Sequence, residues 1–263
     1  RAPFFIAAVP GIVLALFMFF IREPKRGDAE VVAVQTTPIH QPIRKILAIP
    51  TMWWLMLAGL CYNFATYANT SFMVPMLQRY FGLELTQAAM SVGVIVGVSG
   101  LIALPLGGWI ADRLHVRVRN GRLLFGAVSL LLTCVFTGVA LVAGEIDVAI
   151  FVGLFAVGWL FAYNFYTCVY TAVQDVIEPR LRATAMALFF AGLYLLGGGL
   201  GPVMVGGLSD YFANQAMLLA GASEMTEVFR AIGLHNALYL VPVTMGLTGV
   251  FLLIAIRTFR ADA

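Results

Sequence analysis

The chain of 263 residues is 61% hydrophobic and only 11% charged, with a formal net charge of +3. Soluble domains carry about 25% charged residues, so this composition excludes a soluble globular protein and indicates an integral membrane protein. The 26 glycines fit that class, because glycine is more frequent in membrane helices than in soluble ones.

Seven apolar stretches carry no charged residue, and each is long enough for a membrane-spanning helix of about 20 residues. Membrane barrels instead alternate polar and apolar residues over segments of about 10 residues. The sequence therefore predicts an all-α membrane protein. The stretches are Ala2–Ile21, Ile46–Gln78, Leu85–Ala111, Leu123–Gly144, Val148–Gln174, Ala183–Ser209 and Ala231–Ile256.

The segment of residues 22–45 is the only long cytoplasmic connection predicted between apolar stretches. It contains Pro24, Pro38 and Pro42 among polar residues, which is typical of a linker between domains. The chain begins within apolar sequence, without an initiator Met or a signal-peptide cleavage site, so we expect a piece of a longer protein. We predict that residues 1–21 are the last helix of an N-terminal bundle, residues 22–45 a cytoplasmic linker and residues 46–258 a six-helix bundle. Within the linker, Ile43–Leu47 is expected to form a short helix on the membrane surface.

The second and fifth stretches stand out by their polar and aromatic side chains, which recur at helical spacing along one face. Rings supply apolar contact and hydroxyls supply hydrogen bonds, so we interpret these faces as walls of a cavity for an amphipathic molecule. The alternative is hydrogen bonding between helices, which is our interpretation for Thr66 and Thr171. The predicted cavity residues are Asn63, Tyr67, Thr70, Tyr163, Tyr166, Thr167 and Tyr170.

Charged residues cluster after the third stretch and again before the sixth. Asp112 follows Gly108 by one helical turn, so its carboxylate can face the N-terminus of a neighbouring helix or pair with an arginine. We interpret the cluster as a cytoplasmic gate that holds one conformation and is released in the other. The alternative is a solvated loop. The predicted gate residues are Gly108, Asp112, Arg113, Arg117, Glu178 and Arg182.

The sixth stretch combines 27 uncharged residues with several glycines and a proline. Glycine allows close packing of backbones and proline interrupts a helix, so we interpret this stretch as a moving helix with a hinge at Gly197, Gly201 and Pro202. Gly107-Gly108 closes the third stretch and Gly206-Gly207 closes the sixth on the opposite side. This recurrence suits two inverted three-helix repeats, and chance recurrence in Gly-rich sequence explains it as well.

Lys and Arg are distributed unevenly between the two sides of the predicted bundle. Arg1 aside, thirteen of them fall on one side, and only Arg79 and Arg230 fall on the other. The richer side is cytoplasmic by the positive-inside rule, which places the linker and the C-terminus in the cytoplasm. We expect a multi-pass protein of the bacterial inner membrane.

Two of these motifs resemble signatures of the major facilitator superfamily. Gly108-x-x-x-Asp112-Arg113 is similar to its cytoplasmic-loop signature, although His115 stands where a glycine is usual. Gly197-x-x-x-Gly201-Pro202 is similar to its Gly-Pro motif, although the following Gly-Gly pair comes one residue late. Residues 109–119 and 174–210 also resemble bacterial members of the Spinster group within the superfamily.

The resemblance implies that the apolar stretches are helices six to twelve of a twelve-helix carrier. It implies the C-terminal six-helix bundle of the major facilitator fold, built from two inverted three-helix repeats. It further implies a secondary active transporter that moves a lysophospholipid or a sphingosine-phosphate-like lipid by alternating access, coupled to protons. The implied partners are this substrate, protons, membrane lipids and the N-terminal half of the same transporter. No charged residue lies deep in a complete stretch, so we expect the proton-coupling acid in that half.

Other classes remain open at this point. The nearest is a carrier for a small organic anion or a drug-like molecule. A seven-span receptor would explain the number of stretches but neither the linker nor the motifs. A structural membrane protein without transport activity is a further alternative. An intramembrane enzyme needs a nucleophile–base pair or a metal cluster, and Cys61, Cys134 and Cys168 share their stretches with no His or acid. We therefore predict no catalytic residue, metal, cofactor, disulfide or nucleic-acid partner.

Overall fold

A computed structural model describes residues 2–21, 41–118, 120–143 and 147–262. Every regular element within these ranges is a helix. The prediction of an all-α membrane fold is therefore confirmed. The linker prediction falls mainly on residues 22–40, which lie outside the described residues.

Two helices precede the main bundle. Helix α1 spans Ala2–Met18, and the short helix α2 spans Pro42–Leu47, where the sequence predicted a short helix. The longer helices of the described chain are α3 (Pro50–Phe81), α4 (Leu85–Arg117), α5 (Gly121–Ala143), α6 (Val148–Asp175), α7 (Pro179–Leu219) and α8, with segments Glu227–Ala237 and Leu240–Asp262. Helix α3 ends where Gly82 adopts a left-handed conformation, with φ of 68°, which glycine tolerates at helix ends.

Helices α4 to α8 are, within the described residues, the five helices long and apolar enough to cross a membrane. Helix α3 has 32 residues, or about 48 Å at 1.5 Å per residue, so its length also suffices. Its Asn, Thr and Tyr side chains make it more polar than the other five. The polar character that the sequence showed in the second stretch therefore belongs to one long helix of the bundle.

The bundle is held by close contact between helices. Helix α8 packs on α3 and α5, while α7 packs on α3 and on the first segment of α8. A Cβ atom on Gly201 would lie 2.5 Å from the Phe64 carbonyl oxygen, so only glycine allows α7 to approach α3 this closely. Lipid tails are as apolar as the side chains, so this fit, rather than the hydrophobic effect, holds membrane helices together.

Four of the long helices are interrupted. Helix α4 is π-helical over Gly93–Val98 and α7 over Gly192–Gly198, while α6 breaks at Tyr163 and α8 breaks between Ala237 and Leu240. A π-helical turn inserts an extra residue and shifts the backbone hydrogen bonds, and such turns are frequent at functional sites. The π-helical segment of α7 ends four residues before Pro202, whose missing N–H releases the carbonyl of Gly198.

Polar contacts fix both ends of the bundle. At the basic end, where the predicted cytoplasmic loops lie, Asp262 Oδ2 accepts from the Thr51 amide at 3.0 Å and from the Thr51 hydroxyl at 2.7 Å. The last helix thus caps the N-terminus of α3. At the opposite end, His235 Nε2 lies 3.0 Å from the Leu141 carbonyl, and its ring stacks on Tyr80 at 4.5 Å.

The chain divides into two compact units, one of residues 1–40 and one of residues 41–263. Helix α1 belongs to the first unit, and α2 to α8 form the second. All of the contacts described below lie within the second unit.

Candidate functional site

Aromatic side chains of α3 and α6 form the base of one continuous cluster. Tyr62 is completely buried and stacks on Phe165, with ring centroids 4.0 Å apart and planes inclined by 5°. Tyr166 meets Tyr62 edge-on at 5.4 Å. Stacked and edge-on pairs are the favoured arrangements of aromatic rings, so these contacts hold α3 against α6.

Further ring pairs extend the cluster to α7 and to an open edge. Tyr170 lies 5.4 Å from Tyr166 and 5.3 Å from Phe190, which in turn lies 5.9 Å from Tyr194. Tyr67 closes the series, 6.3 Å from Tyr194 with the two planes at 81°. These last two rings are 41% and 45% exposed. The aromatic cluster is defined as Tyr62, Tyr67, Phe165, Tyr166, Tyr170, Phe189, Phe190 and Tyr194.

The surroundings of the aromatic cluster carry no formal charge along the chain. Residues 50–78 of α3, 148–174 of α6 and 183–209 of α7 include no Asp, Glu, Lys or Arg. The site therefore offers ring faces, ring edges and phenolic hydroxyls. These groups suit a molecule with both apolar and polar parts.

Three of the predicted cavity residues come together in this cluster: Tyr67, Tyr166 and Tyr170. Tyr163 lies beside it, 6.2 Å from Tyr166, but its hydroxyl donates to the Val96 carbonyl in α4 at 2.9 Å. Val96 belongs to the π-helical segment of α4, where the backbone hydrogen bonds are shifted. Tyr163 therefore links α6 to that segment as well as flanking the cluster.

The other predicted cavity residues lie outside the cluster. Asn63 is 2% exposed, lies beside Gly197 of α7, and its amide nitrogen has no hydrogen-bond partner within the described chain. Thr70 is exposed and donates to the carbonyl of Thr66 in its own helix at 2.8 Å. Thr167 donates to the Asn164 carbonyl at 3.1 Å. The seven predicted cavity residues therefore lie in different surroundings, although their spacing along the helices is regular.

The sequence interpretation also missed members of the cluster. Tyr62 stood in the same polar stretch but one position away from the chosen face. Phe189, Phe190 and Tyr194 lie in the part of α7 that precedes its glycines, whereas the prediction for this stretch rested on the glycines. The sequence signal that could have identified them is the occurrence of three aromatic residues close together in the sixth stretch, which is otherwise rich in small residues.

Two of the three predicted hinge residues, Gly197 and Gly201, lie in the contact between α7 and α3. A Cβ on Gly197 would collide with the Leu60 carbonyl, just as one on Gly201 would collide with the Phe64 carbonyl. Gly197 also belongs to the π-helical segment, and Pro202 lies in the continuous helix that follows. The hinge residues thus combine close packing with an irregular backbone.

At the basic end, one arginine joins two carboxylates from neighbouring helices. Arg122 at the start of α5 pairs with Asp112 of α4 at 2.7 Å and with Asp175 of α6 at 3.8 Å. The Arg122 side chain is 25% exposed, whereas the carboxylates of Asp112 and Asp175 are 69% and 42% exposed. We call these three residues the charge triad. The predicted gate included Asp112 but neither of its two companions.

The remaining predicted gate residues do not join the charge triad through any contact found in the described chain. Arg113 lies over the Trp109 ring, 3.8 Å from its centroid, and Arg117 is the last residue of α4. Arg182 donates to the Gln174 carbonyl at 3.1 Å. Glu178 lines a groove of about 240 Å³ between α2 and the α6–α7 connection. Gly108 lies 4.0 Å from Thr167, measured from the Cβ it would carry.

Comparison with known proteins gives a consistent family match. Residues 1–202 match the family described as Major Facilitator Superfamily. An MFS-type efflux pump of Mycolicibacterium smegmatis is 29% identical over 210 residues, 75% of this chain and 44% of that protein. A hexuronate transporter of Bacillus subtilis is 24% identical over 84% of this chain and 54% of its own length. The sphingosine-1-phosphate transporter SPNS2 of Xenopus tropicalis is 23% identical over 98% of this chain and 51% of its own.

A solved structure shows the same fold. It is a bacterial homologue of the human lysosomal transporter Spinster in an inward-facing, unoccupied conformation, with a TM-score of 0.74 and 24% identity. The match covers 98% of this chain and 59% of that one. The chain spans about half the length of the curated relatives it matches.

Proposed function

Because the chain belongs to the major facilitator superfamily of membrane transporters and resembles its Spinster members, we propose that it forms part of a secondary active transporter for an amphipathic lipid. The substrate class is a lysophospholipid or a sphingosine-phosphate-like molecule, moved by alternating access and coupled to protons. The observation that carries the proposal is the aromatic cluster, which joins uncharged segments of three helices and has an open edge. The relative named as a sphingosine-1-phosphate transporter supports the same substrate class.

The proposed substrate contacts are those the sequence indicated, together with the rings that complete the cluster. Rings bury large apolar areas while tyrosine hydroxyls keep a hydrogen-bonding group at one end, which matches a molecule with a tail and a head. The proposed lining from the sequence is Asn63, Tyr67, Thr70, Tyr163, Tyr166, Thr167 and Tyr170, to which Tyr62, Phe190 and Tyr194 are added.

We place the proposed gate at the basic end. The charge triad ties α4, α5 and α6 together there, so movement of these helices relative to one another would break its ion pairs. Gly108, Arg113, Arg117, Glu178 and Arg182 remain proposed members of the gate region, and Gly197, Gly201 and Pro202 remain the proposed hinge.

The proposed orientation follows the charge bias. The basic end, with the linker and the C-terminus, faces the cytoplasm of a bacterial inner membrane. Residues 1–21 end the N-terminal bundle, residues 22–45 link the halves, and residues 46–258 form the C-terminal bundle. No Asp or Glu lies deep within the apolar stretches of α3 to α8, so we place the proton-coupling acid in the N-terminal half.

Transport by the full-length protein containing this chain tests the proposal. Reconstituted into liposomes, it should accumulate radiolabelled lysophosphatidylcholine, and an imposed pH gradient should raise the initial rate severalfold over the rate without a gradient. Liposomes without protein give the background rate. The similarity to a hexuronate transporter favours an organic anion as the second candidate. Saturable uptake of glucuronate, with no lipid uptake, would replace the proposed substrate.

A further inference from the structure

We infer that the open edge of the aromatic cluster binds the ammonium group of the transported amphiphile, against the rings of Tyr67 and Tyr194. This inference rests on the proposed function, since it names the chemical group that the same site would hold. Binding of an ammonium group at this edge would make the site selective for single-chain lipids whose head group carries a positive charge, over lipids whose head group is only anionic or is neutral.

The geometry of the two rings forms an open corner. Tyr67 on α3 and Tyr194 on α7 have ring centroids 6.3 Å apart and planes at 81°. Both are more than 40% exposed, unlike the buried rings at the base of the cluster. Two nearly perpendicular rings with free surface can each contact one small cation, whose preferred distance is within about 6 Å of a ring centroid.

Contacts behind the rings fix this arrangement. A Cβ on Gly198 would lie 3.3 Å from two ring carbons of Tyr67, so the absence of a side chain at Gly198 lets that ring rest on α7. Tyr194 is supported by Phe190, 5.9 Å away, and Phe190 by Tyr170, 5.3 Å away. The corner is therefore positioned before a ligand arrives, which reduces the cost of ordering it on binding.

Electrostatics favour a cation at this corner. The face of an aromatic ring carries negative charge density, which attracts an ammonium group. A phosphate or carboxylate at the same place would meet no Lys or Arg from residues 50–78, 148–174 or 183–209. Within this half of the transporter, an ammonium group therefore gains an interaction that an anionic group lacks.

The hydroxyl-bearing rings also distinguish a head-group site from a tail site. Five of the eight rings in the cluster are tyrosines, including both rings at its open edge. An acyl chain gains nothing from phenolic oxygens, whose burial away from a hydrogen-bond partner is costly. A hydrated, cationic head group tolerates such oxygens at the rim while it contacts the ring faces.

Binding to the full-length transporter, purified in detergent, separates the possibilities. The probes are palmitoyl lysophosphatidylcholine, palmitoyl lysophosphatidic acid and monopalmitoylglycerol, which share one acyl chain and differ in the head group. The variants Tyr67→Phe and Tyr194→Phe keep the rings, whereas Tyr67→Leu and Tyr194→Leu remove them. Tyr211→Leu is the matched control, because Tyr211 is exposed on the same α7 helix outside the cluster.

The expected result is loss of selectivity only when the rings are removed. Each Leu variant should weaken lysophosphatidylcholine binding about tenfold, which corresponds to about 1.4 kcal/mol, while the Phe variants stay within about twofold of the wild type. Monopalmitoylglycerol should bind all variants equally, and this retained binding also shows that the Leu variants are folded.

Three outcomes would overturn the inference. Equal loss of all three probes in the Leu variants would assign the corner to the acyl chain. Equal loss in Phe and Leu variants would assign binding to the hydroxyls. Equal wild-type affinity for all three probes would remove head-group selection while leaving a lipid transporter intact. If none of the three lipid probes binds and glucuronate binds instead, the proposed function itself is rejected.

Discussion

At the scale of single residues, Tyr163 shows that side chains on one helical face can have different roles. Its spacing from Tyr166 and Tyr170 is that of one face, and its ring does lie 6.2 Å from Tyr166. Its hydroxyl nevertheless turns to the Val96 carbonyl of α4. Spacing along one helix cannot reveal this partner, because the Val96 carbonyl, which also accepts from the Ser99 amide, belongs to a π-helical segment of another helix.

The variant Tyr163→Phe is expected to lower stability without changing substrate affinity. It removes the hydrogen bond that joins α6 to α4, while the Val96 carbonyl still accepts from the Ser99 amide, so the loss is on the order of 1 kcal/mol. Thermal unfolding in detergent measures the loss of stability, and lysophosphatidylcholine binding measures the affinity. Tyr211→Phe is the control, since Tyr211 is exposed. A large loss of affinity with unchanged stability would instead make the Tyr163 hydroxyl a direct substrate ligand.

At the scale of elements, the glycines of α7 match the positions of carbonyls on α3. Gly197 lies on the Leu60 carbonyl and Gly201 on the Phe64 carbonyl, so both partners advance by four residues, about one helical turn. Small residues at this spacing are the usual means by which membrane helices approach closely. The sequence predicted this backbone packing directly from the glycine pattern.

The variant Gly201→Ala is expected to destabilise the bundle by about 1–3 kcal/mol, as overpacking does in well-filled interiors. The added Cβ would lie 2.5 Å from the Phe64 carbonyl oxygen, so α7 must shift away from α3. The control is Gly207→Ala in the same helix, where a Cβ meets no atom within 4 Å.

Alanine has the higher helix propensity, so Gly207→Ala should be neutral or stabilising by up to about 1 kcal/mol. The apparent melting temperature of each purified variant gives the comparison. Equal melting temperatures for the two variants would contradict the view that Gly201 is a packing contact.

The interruptions within helices were less accessible to prediction than the helices themselves. Charged residues bracket the apolar stretches, so the presence and order of α3 to α8 follow from them. The break of α6 at Tyr163 has no glycine or proline beside it, and the π-helical segment of α4 looks like ordinary apolar sequence. Both depend on packing against neighbouring helices, which composition and periodicity do not encode.

At the scale of the whole molecule, the sequence predicted a charged cluster at the basic end, but it identified only one member of the charge triad, Asp112. Asp112 was identified from its motif, whereas Arg122 comes ten residues later at the start of the next helix. Their contact depends on how α4 and α5 converge around the short connection between them. Asp175 joins through α6, which no local motif connects with Asp112.

These ion pairs suggest how the proposed gate stabilises one conformation relative to the other. Each exposed ion pair contributes about 0.2–1 kcal/mol, and the high exposure of Asp112 places its pair towards the lower part of that range. Two such pairs sharing Arg122 can still change the ratio of two conformations severalfold, because RT is only about 0.6 kcal/mol. The effect should also weaken as ionic strength rises.

The variant Arg122→Gln in the full-length transporter is therefore expected to shift the conformational equilibrium at the basic end. It removes both ion pairs at once while keeping a polar side chain, so the conformation that the charge triad stabilises should lose population about two- to fivefold. Distances between spin labels on the two halves at the basic end, measured by pulsed electron paramagnetic resonance, report the two populations. Arg230→Gln is the matched control, because Arg230 pairs with Glu227 at the opposite end of the bundle. If both variants leave the distance distribution unchanged at low salt, the charge triad is a static surface contact, and the proposed gate must lie elsewhere.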